Sequence, residues 1–236
     1  MRKLNGLIML MLLPILLAGN QVGIYDIQFT NSPGSDGTYP SPYRGQVITT
    51  SGIVVAMDGL NGGFYLSEPQ GGVWRGIYVQ ESAREVRVGD YISIVGEVCE
   101  HFGYTLLRNI TRLEMKTSGN LLPTPSLVTT NELSVSEAYE GVLVQVTNVT
   151  VGNFDVSNDV RYVTDGSGNC GVNNSLLSSN EYKNVFITNE VYSRIIGLVD
   201  YRYGNYRLNP RNLEDFYRSP VGAGKPSWGR IKFLYR

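Results

Sequence analysis

The sequence predicts an all-β protein built as two tandem five-stranded barrels. Three observations carry that expectation. Short β-branched and aromatic runs alternate with Gly, Asp and Pro turns along most of the chain. The 236 residues include 27 Gly and 16 Tyr with only 17% charged side chains, a balance tilted toward strands and turns and away from coiled coil or disorder. Blocks of the first half also return, in order, in the second. One His and two Cys exclude a zinc ribbon, a multi-His haem site and a disulfide-dense mini-domain.

Residues 1–19 read as a secretory signal peptide. Arg2 and Lys3 form a basic start, Leu7 to Leu17 is apolar, and Ala18-Gly19 offers small residues for cleavage. The apolar run is short for a membrane span. The expected location is secreted or periplasmic, with no stable membrane insertion after cleavage.

Residues 20–118 are expected to form the first barrel, 119–136 a linker with a short helix, and 137–218 the second barrel. Tyr43 to Ser51 lines up with Tyr139 to Thr147, and Ile53-Val54-Val55 with Val149-Thr150-Val151. Phe64 to Glu68 answers Arg161 to Asp165. Ile94 to Val98, followed by Phe102-Gly103, answers Ile195 to Val199, followed by Tyr203-Gly204. Arg112-Leu113-Glu114 answers Asn212-Leu213-Glu214, and the offset drifts only between 96 and 101. Predicted strands are Gln46–Val55, Gly63–Ser67, Gly76–Gln80 and Tyr91–Val98, with Val142–Val151 opening the second copy. Val88-Gly89-Asp90 reads as a tight turn. Five strands per copy favour an OB-like barrel over an immunoglobulin-like sandwich, which needs about seven. In the linker, Pro123 and Pro125 stiffen an extended connector, and Asn131 or Ser134 is expected to cap the short helix.

The stretch from Gly45 through Gly63-Phe64-Tyr65-Leu66, Gly76-Ile77-Tyr78-Val79 and Val88-Gly89-Asp90-Tyr91 to Gly96-Glu97-Val98 and Phe102-Gly103-Tyr104 resembles the OB-fold-like domains attached to secreted bacterial nucleases and phosphatases. The resemblance covers roughly 22–114 well and 137–216 weakly. It implies a barrel accessory module, here expected without the family's separate downstream catalytic domain. Fold transfers on such a pattern; function does not.

No nucleophile elbow or phosphate loop appears, and no catalytic residue, metal ligand or cofactor is assigned. Cys99 and His101 make only half a zinc site. Asp155–Asp159 and Asp165 to Asn169 lack the calcium-loop spacing. The two cysteines are expected to be buried free thiols.

The positive signal is aromatic. Phe64, Tyr65, Trp74, Tyr78, Phe102 and Tyr104 cluster with Arg75 and Arg108 in the first copy; of these, Tyr65, Trp74, Tyr78, Tyr104, Arg75 and Arg108 are the candidate binding residues. Tyr162, Tyr201, Tyr203 and Tyr206 cluster with Arg207 in the second. OB barrels hold extended chains by stacking on such rings beside Arg. At least half of these rings are expected to be structural, with Trp74 and Tyr203 the candidates for exposure. Residues 20–218 carry 14 basic against 21 acidic side chains, a net of −7, which lacks the footprint of a general nucleic-acid binder. The leading expectation is a binding module without catalysis, its ligand a single-stranded nucleic acid, a polysaccharide or another extended polymer. A scaffolding role toward an envelope protein is the alternative, and a hydrolase has the least support.

Residues 219–236 are expected to be a flexible linker and a basic amphipathic tail. Trp228, Ile231 and Leu234 fall at helical spacing among Arg230, Lys232 and Arg236. The tail resembles short Trp-Gly-x-Ile-Lys-x-Leu-Tyr-Arg ends of some secreted bacterial proteins. With little apolar area to bury, it is expected to order only on an envelope partner.

Overall fold

The computed structural model describes residues 20–82, 85–157 and 159–218. The signal-like run 1–19 and the tail with Trp228, Ile231 and Leu234 lie outside the described residues. The described chain is predominantly β. Its first half carries β1 (Asn20–Gln21), α1 (Ile24–Gln28), β2 (Val47–Asp58), β3 (Gly63–Ser67), β4 (Gly76–Val79), β5 (Tyr91–His101) and β6 (Tyr104–Thr117). The second half carries β7 (Ser126–Leu127), α2 (Thr130–Val135), β8 (Leu143–Asp155), β9 (Val160–Thr164), β10 (Asn169–Val172), α3 (Ser179–Val185), β11 (Val191–Arg202), β12 (Asn205–Asn209) and β13 (Phe216–Arg218).

The second sheet closes into a five-stranded barrel in the order β8-β9-β10-β12-β11 and back to β8. Neighbours are antiparallel except β10 and β12, which run parallel with Gly171 opposite Arg207. In the first sheet β2 pairs with β3, β3 with β4, β4 in parallel with β6, β6 with β5, and β5 with β2.

The strands follow their side-chain alternation. Along β5, burial alternates from Tyr91 to Val98, as a half-buried strand requires. The first half of β2 alternates likewise, but from Gly52 to Ala56 every residue is buried. The reason is a second covering surface. Val54, Phe64, Leu66, Ile77, Val79 and Leu107 fill the core of the first lobe. Their strand neighbours Ile53, Val55, Tyr65, Tyr78 and Leu106 point outward into a separate cluster with Leu143, Ile196 and Leu198 of the second lobe. Period-two alternation thus feeds two cores from the same strands. Each fully buried aliphatic side chain in this junction contributes about 1.5–3 kcal/mol. The second lobe has its own core around Val144, Val146, Val163, Tyr182, Tyr192 and Ile195.

Glycine sets how closely the lobes approach. A Cβ on Gly76 would lie 2.0 Å from the Gly141 carbonyl oxygen, and one on Gly141 would lie 2.7 Å from the Gly76 oxygen. Gly141 also has φ +71°, which side chains disfavour. Trp74 N donates to Ala138 O at 2.8 Å, extending the same contact.

The short helix inside 119–136 is α2, and its cap differs from the expected Asn131 or Ser134. Thr129 is the N-cap: its side chain accepts from Glu132 N, and the Glu132 side chain returns the bond to Thr129 N. The Thr-x-x-Glu spacing is the capping box. This segment packs against the second lobe rather than standing apart. β7 adds to β8 in parallel, Leu133 joins that lobe's core, and Thr130 Oγ1 donates to Asp165 Oδ1 at 2.7 Å. Cys99 and Cys170 are both buried and unbridged. No helix among the described residues is long and apolar enough to cross a membrane.

Candidate binding surface

Two hairpin tips present the most exposed aromatic rings of the predicted binding segments. The β5–β6 turn runs His101-Phe102-Gly103-Tyr104, and the β11–β12 turn runs Arg202-Tyr203-Gly204-Asn205. Phe102 is 88% exposed and Tyr203 89%. Both sit in the left-handed region, at φ 53° and 51°, each followed by a left-handed glycine. A two-residue turn with both central residues at positive φ matches the strand twist but ordinarily takes Asn-Gly or Asp-Gly. A large ring there strains the turn and gains nothing from burial.

The tips lie side by side across the lobe boundary. A Cβ on Gly103 would sit 2.8 Å from Cε1 of Tyr201 and 2.9 Å from Cβ of Thr38. Tyr201 also packs against Tyr206, with ring centroids 4.8 Å apart. The His101 ring meets Phe102 edge-on at 4.7 Å. On the loop beside the first tip, Asp36 Oδ1 accepts from Thr38 N at 3.2 Å and from its hydroxyl at 2.8 Å. Those bonds hold the exposed Asp36 carboxyl below the usual carboxylate range.

The other sequence-predicted residues are placed differently. Tyr65 and Tyr78 are buried in the junction, with Tyr104 packed against them. Tyr78 donates to Asp58 Oδ2 at 3.1 Å, and Tyr104 donates to the Tyr65 hydroxyl at 3.3 Å. Burial pushes all three phenols up, aided by the charges of Asp200, Asp58 and one another. Arg207 is buried beside the parallel β10–β12 pair. Tyr206 donates to Glu137. Trp74 is half-buried at φ 64°, edge-on to Phe29 at 5.7 Å. Arg75 pairs with Glu68 at 3.1 Å and covers the Tyr25 ring, while Arg108 pairs with Glu97 at 3.0 Å. Tyr162 is partly exposed on β9, away from the junction cluster. The structure therefore brings Tyr65, Tyr78 and Tyr104 together as packing, sets the Gly103 turn against Tyr201, and leaves Phe102 and Tyr203 exposed at the two turns. The sequence groups Phe102 with the aromatic cluster but not with the candidate binding residues. Its signal was present in the Phe102-Gly103 and Tyr203-Gly204 match.

Below the tips the junction encloses carboxyls. Glu100, one residue before His101, accepts from Ser41 N at 2.9 Å and from the Thr105 hydroxyl at 2.8 Å. Glu140 accepts from Thr105 N at 2.9 Å. One oxygen of Glu100 and one of Glu140 are buried without a hydrogen-bond partner. Burial drives the Glu140 carboxyl well up, reinforced by Glu137. Glu137 is itself pushed up to about 7 by burial, against the bond from Tyr206. Asp200 is raised by burial despite Arg202 Nε at 3.0 Å. Among the described residues no group of three or more His, Cys, Asp or Glu is arranged to hold a metal ion. A separate open groove of about 430 Å³ lies between α3 and β13, lined by Val185, Leu213, Phe216 and Arg218. None of the sequence-predicted binding residues lines it.

A scan against protein-family models finds no match to the chain, and a search of curated proteins finds none either.

Proposed function

We propose that this chain is a secreted or periplasmic tandem OB-type binding module without catalysis, gripping an extended polymer at its paired hairpin tips. In this reading the first sheet is a second barrel of the same kind as the closed one. Its strand order supports that, including the parallel pair between third and fifth strands. Matching single bonds support it further. Gly89 N donates to Val54 O as Asn189 N does to Val151 O, each from a left-handed residue. Gly45 N donates to Val98 O as Gly141 N does to Val199 O. Strand order 1-2-3-5-4 with closure onto strand 1 is the OB arrangement, and its hairpin loops take oligomeric ligands.

The observation that carries the function is the pair of strained, solvent-facing rings, Phe102 and Tyr203, at equivalent turns. Strain kept at an exposed position on both lobes is an argument for binding. The buried carboxyls Glu140 and Asp200, each 2% exposed, are sealed from any substrate, which favours binding over hydrolysis. The test is a polymer panel of polysaccharides and single-stranded oligonucleotides with the Phe102→Ala/Tyr203→Ala double variant. Each stacked ring is worth about 1–3 kcal/mol, so affinity should fall at least tenfold with the melting temperature unchanged. Equal affinity in the double variant overturns the reading.

A further inference from the structure

We infer that the polymer held at the tips is an uncharged polysaccharide. The inference rests on the reading of the tips as the binding surface and adds the ligand's chemistry. A polyphosphate chain needs cations free to neutralise it. The arginines that flank the aromatic segments are already engaged. Arg202, next to Tyr203, pairs with Asp200 at 3.0 Å. Arg108 pairs with Glu97 and Arg75 with Glu68. Arg207 is buried. Redirecting Arg202 to a phosphate would strand the buried Asp200 carboxylate.

A carboxylate also lies near the tips, with Thr38 bonded to it and Arg44 close enough to favour its ionised form. Asp36 lies two residues from Thr38, which touches Gly103, and its hydrogen bonds favour the ionised form. An ionised carboxylate beside the stacking surface repels phosphate but accepts strong hydrogen bonds from hydroxyls. Phe102 and Tyr203 offer flat apolar faces to the C–H face of a sugar ring. Flat rings, a carboxylate acceptor and flanking arginines already engaged with carboxylates suit a hydroxyl-rich, neutral chain.

The experiment measures binding of the full chain to cellulose, chitin and dextran, and to an oligothymidylate, between about 50 and 500 mM salt. A polysaccharide should be retained with affinity constant within about twofold across that range. The Phe102→Ala/Tyr203→Ala variant should lose it, and Asp36→Asn should weaken it. Oligothymidylate binding that depends on the two rings and collapses with salt, by about 10⁴ over that range for six phosphate contacts, overturns the inference while leaving the tip surface standing. Polysaccharide binding that ignores both rings, or no binding to any probe, overturns the inference together with the tip surface.

Discussion

The backbone N–H of Thr105 in the first lobe donates to the Glu140 carboxyl of the second at 2.9 Å. This bond crosses a junction that also encloses Glu100, Glu137 and Asp200, so a backbone donor of one lobe depends on an acid of the other. Glu140→Gln keeps the acceptor oxygen and removes the charge. It should be at least as stable as the parent at pH 8. Glu140→Ala leaves the Thr105 amide unpaired and should cost about 1–3 kcal/mol. Urea unfolding of both variants checks this; equal losses would mean the bond contributes nothing.

Stability should fall as pH rises from about 4.5 toward 7. Glu137 is pushed up to about 7 by burial, from an ordinary 4.5. An acid with a raised folded pKa binds its proton more tightly when folded, so its contribution is full below the unfolded pKa and is lost as pH passes the folded one. The loss is up to about 3 kcal/mol at 1.36 kcal/mol per pKa step. Asp165 works in the opposite sense. Burial tends to raise it, but bonds from Ser167 and Thr130 outweigh this and lower its pKa, so its contribution disappears as pH falls below the usual carboxylate range. Melting curves from pH 3 to 8 should show a maximum on the acid side of neutrality. Glu137→Gln should flatten the upper limb; an unchanged slope would remove Glu137 as its cause.

Exchanging the tip rings for turn-compatible residues should not harm the fold. Phe102→Asn and Tyr203→Asn replace aromatic rings at φ 53° and 51° with the residue that tolerates this conformation best after glycine. Each should raise stability by up to about 1 kcal/mol. A measured loss above that would show that the rings pack somewhere in the folded chain.

Gly76→Ala should be among the most damaging single-methyl additions. The new Cβ would lie 2.0 Å from the Gly141 carbonyl oxygen, and neither backbone can retreat without opening the junction. We expect a loss of about 3 kcal/mol or more. Gly37→Ala, whose Cβ meets nothing within 4 Å, serves as the control and should lose no more than its positive φ exacts.

Both thiols should stay unreactive until the protein unfolds. Cys170 is buried in the second core, and burial pushes its thiol up to about 12. Cys99 is buried in the junction. Ellman's reagent should titrate neither in native buffer and both in denaturant. Fast reaction of Cys99 alone would indicate that the lobes part readily.

The alternation of side chains along single strands was legible because it is a local property. Gly63–Ser67 was read with the observed bounds, and the other four predicted strands fall within a few residues of β2, β4, β5 and β8. Alternation sets Tyr65 on the face opposite Phe64, and Tyr65, Tyr78 and Tyr104 do lie outside the first lobe's core, a facing not assigned from the sequence. It could not tell what covers that outer face. One strand's period records which side a ring is on, while its burial depends on surface supplied by residues far along the chain, such as Leu143, Ile196 and Leu198. The α2 segment illustrates the same limit: its capping box lies in four consecutive residues, whereas its place against the second lobe comes from Thr130 meeting Asp165 thirty-five positions later. The sequence by itself determined five of the strands, the Val88-Gly89-Asp90 turn and the match of Phe102-Gly103 with Tyr203-Gly204. Only the tertiary structure decided that one set of aromatics is a packed junction and the other a surface, because burial is set by the contact of two lobes that local pattern does not encode.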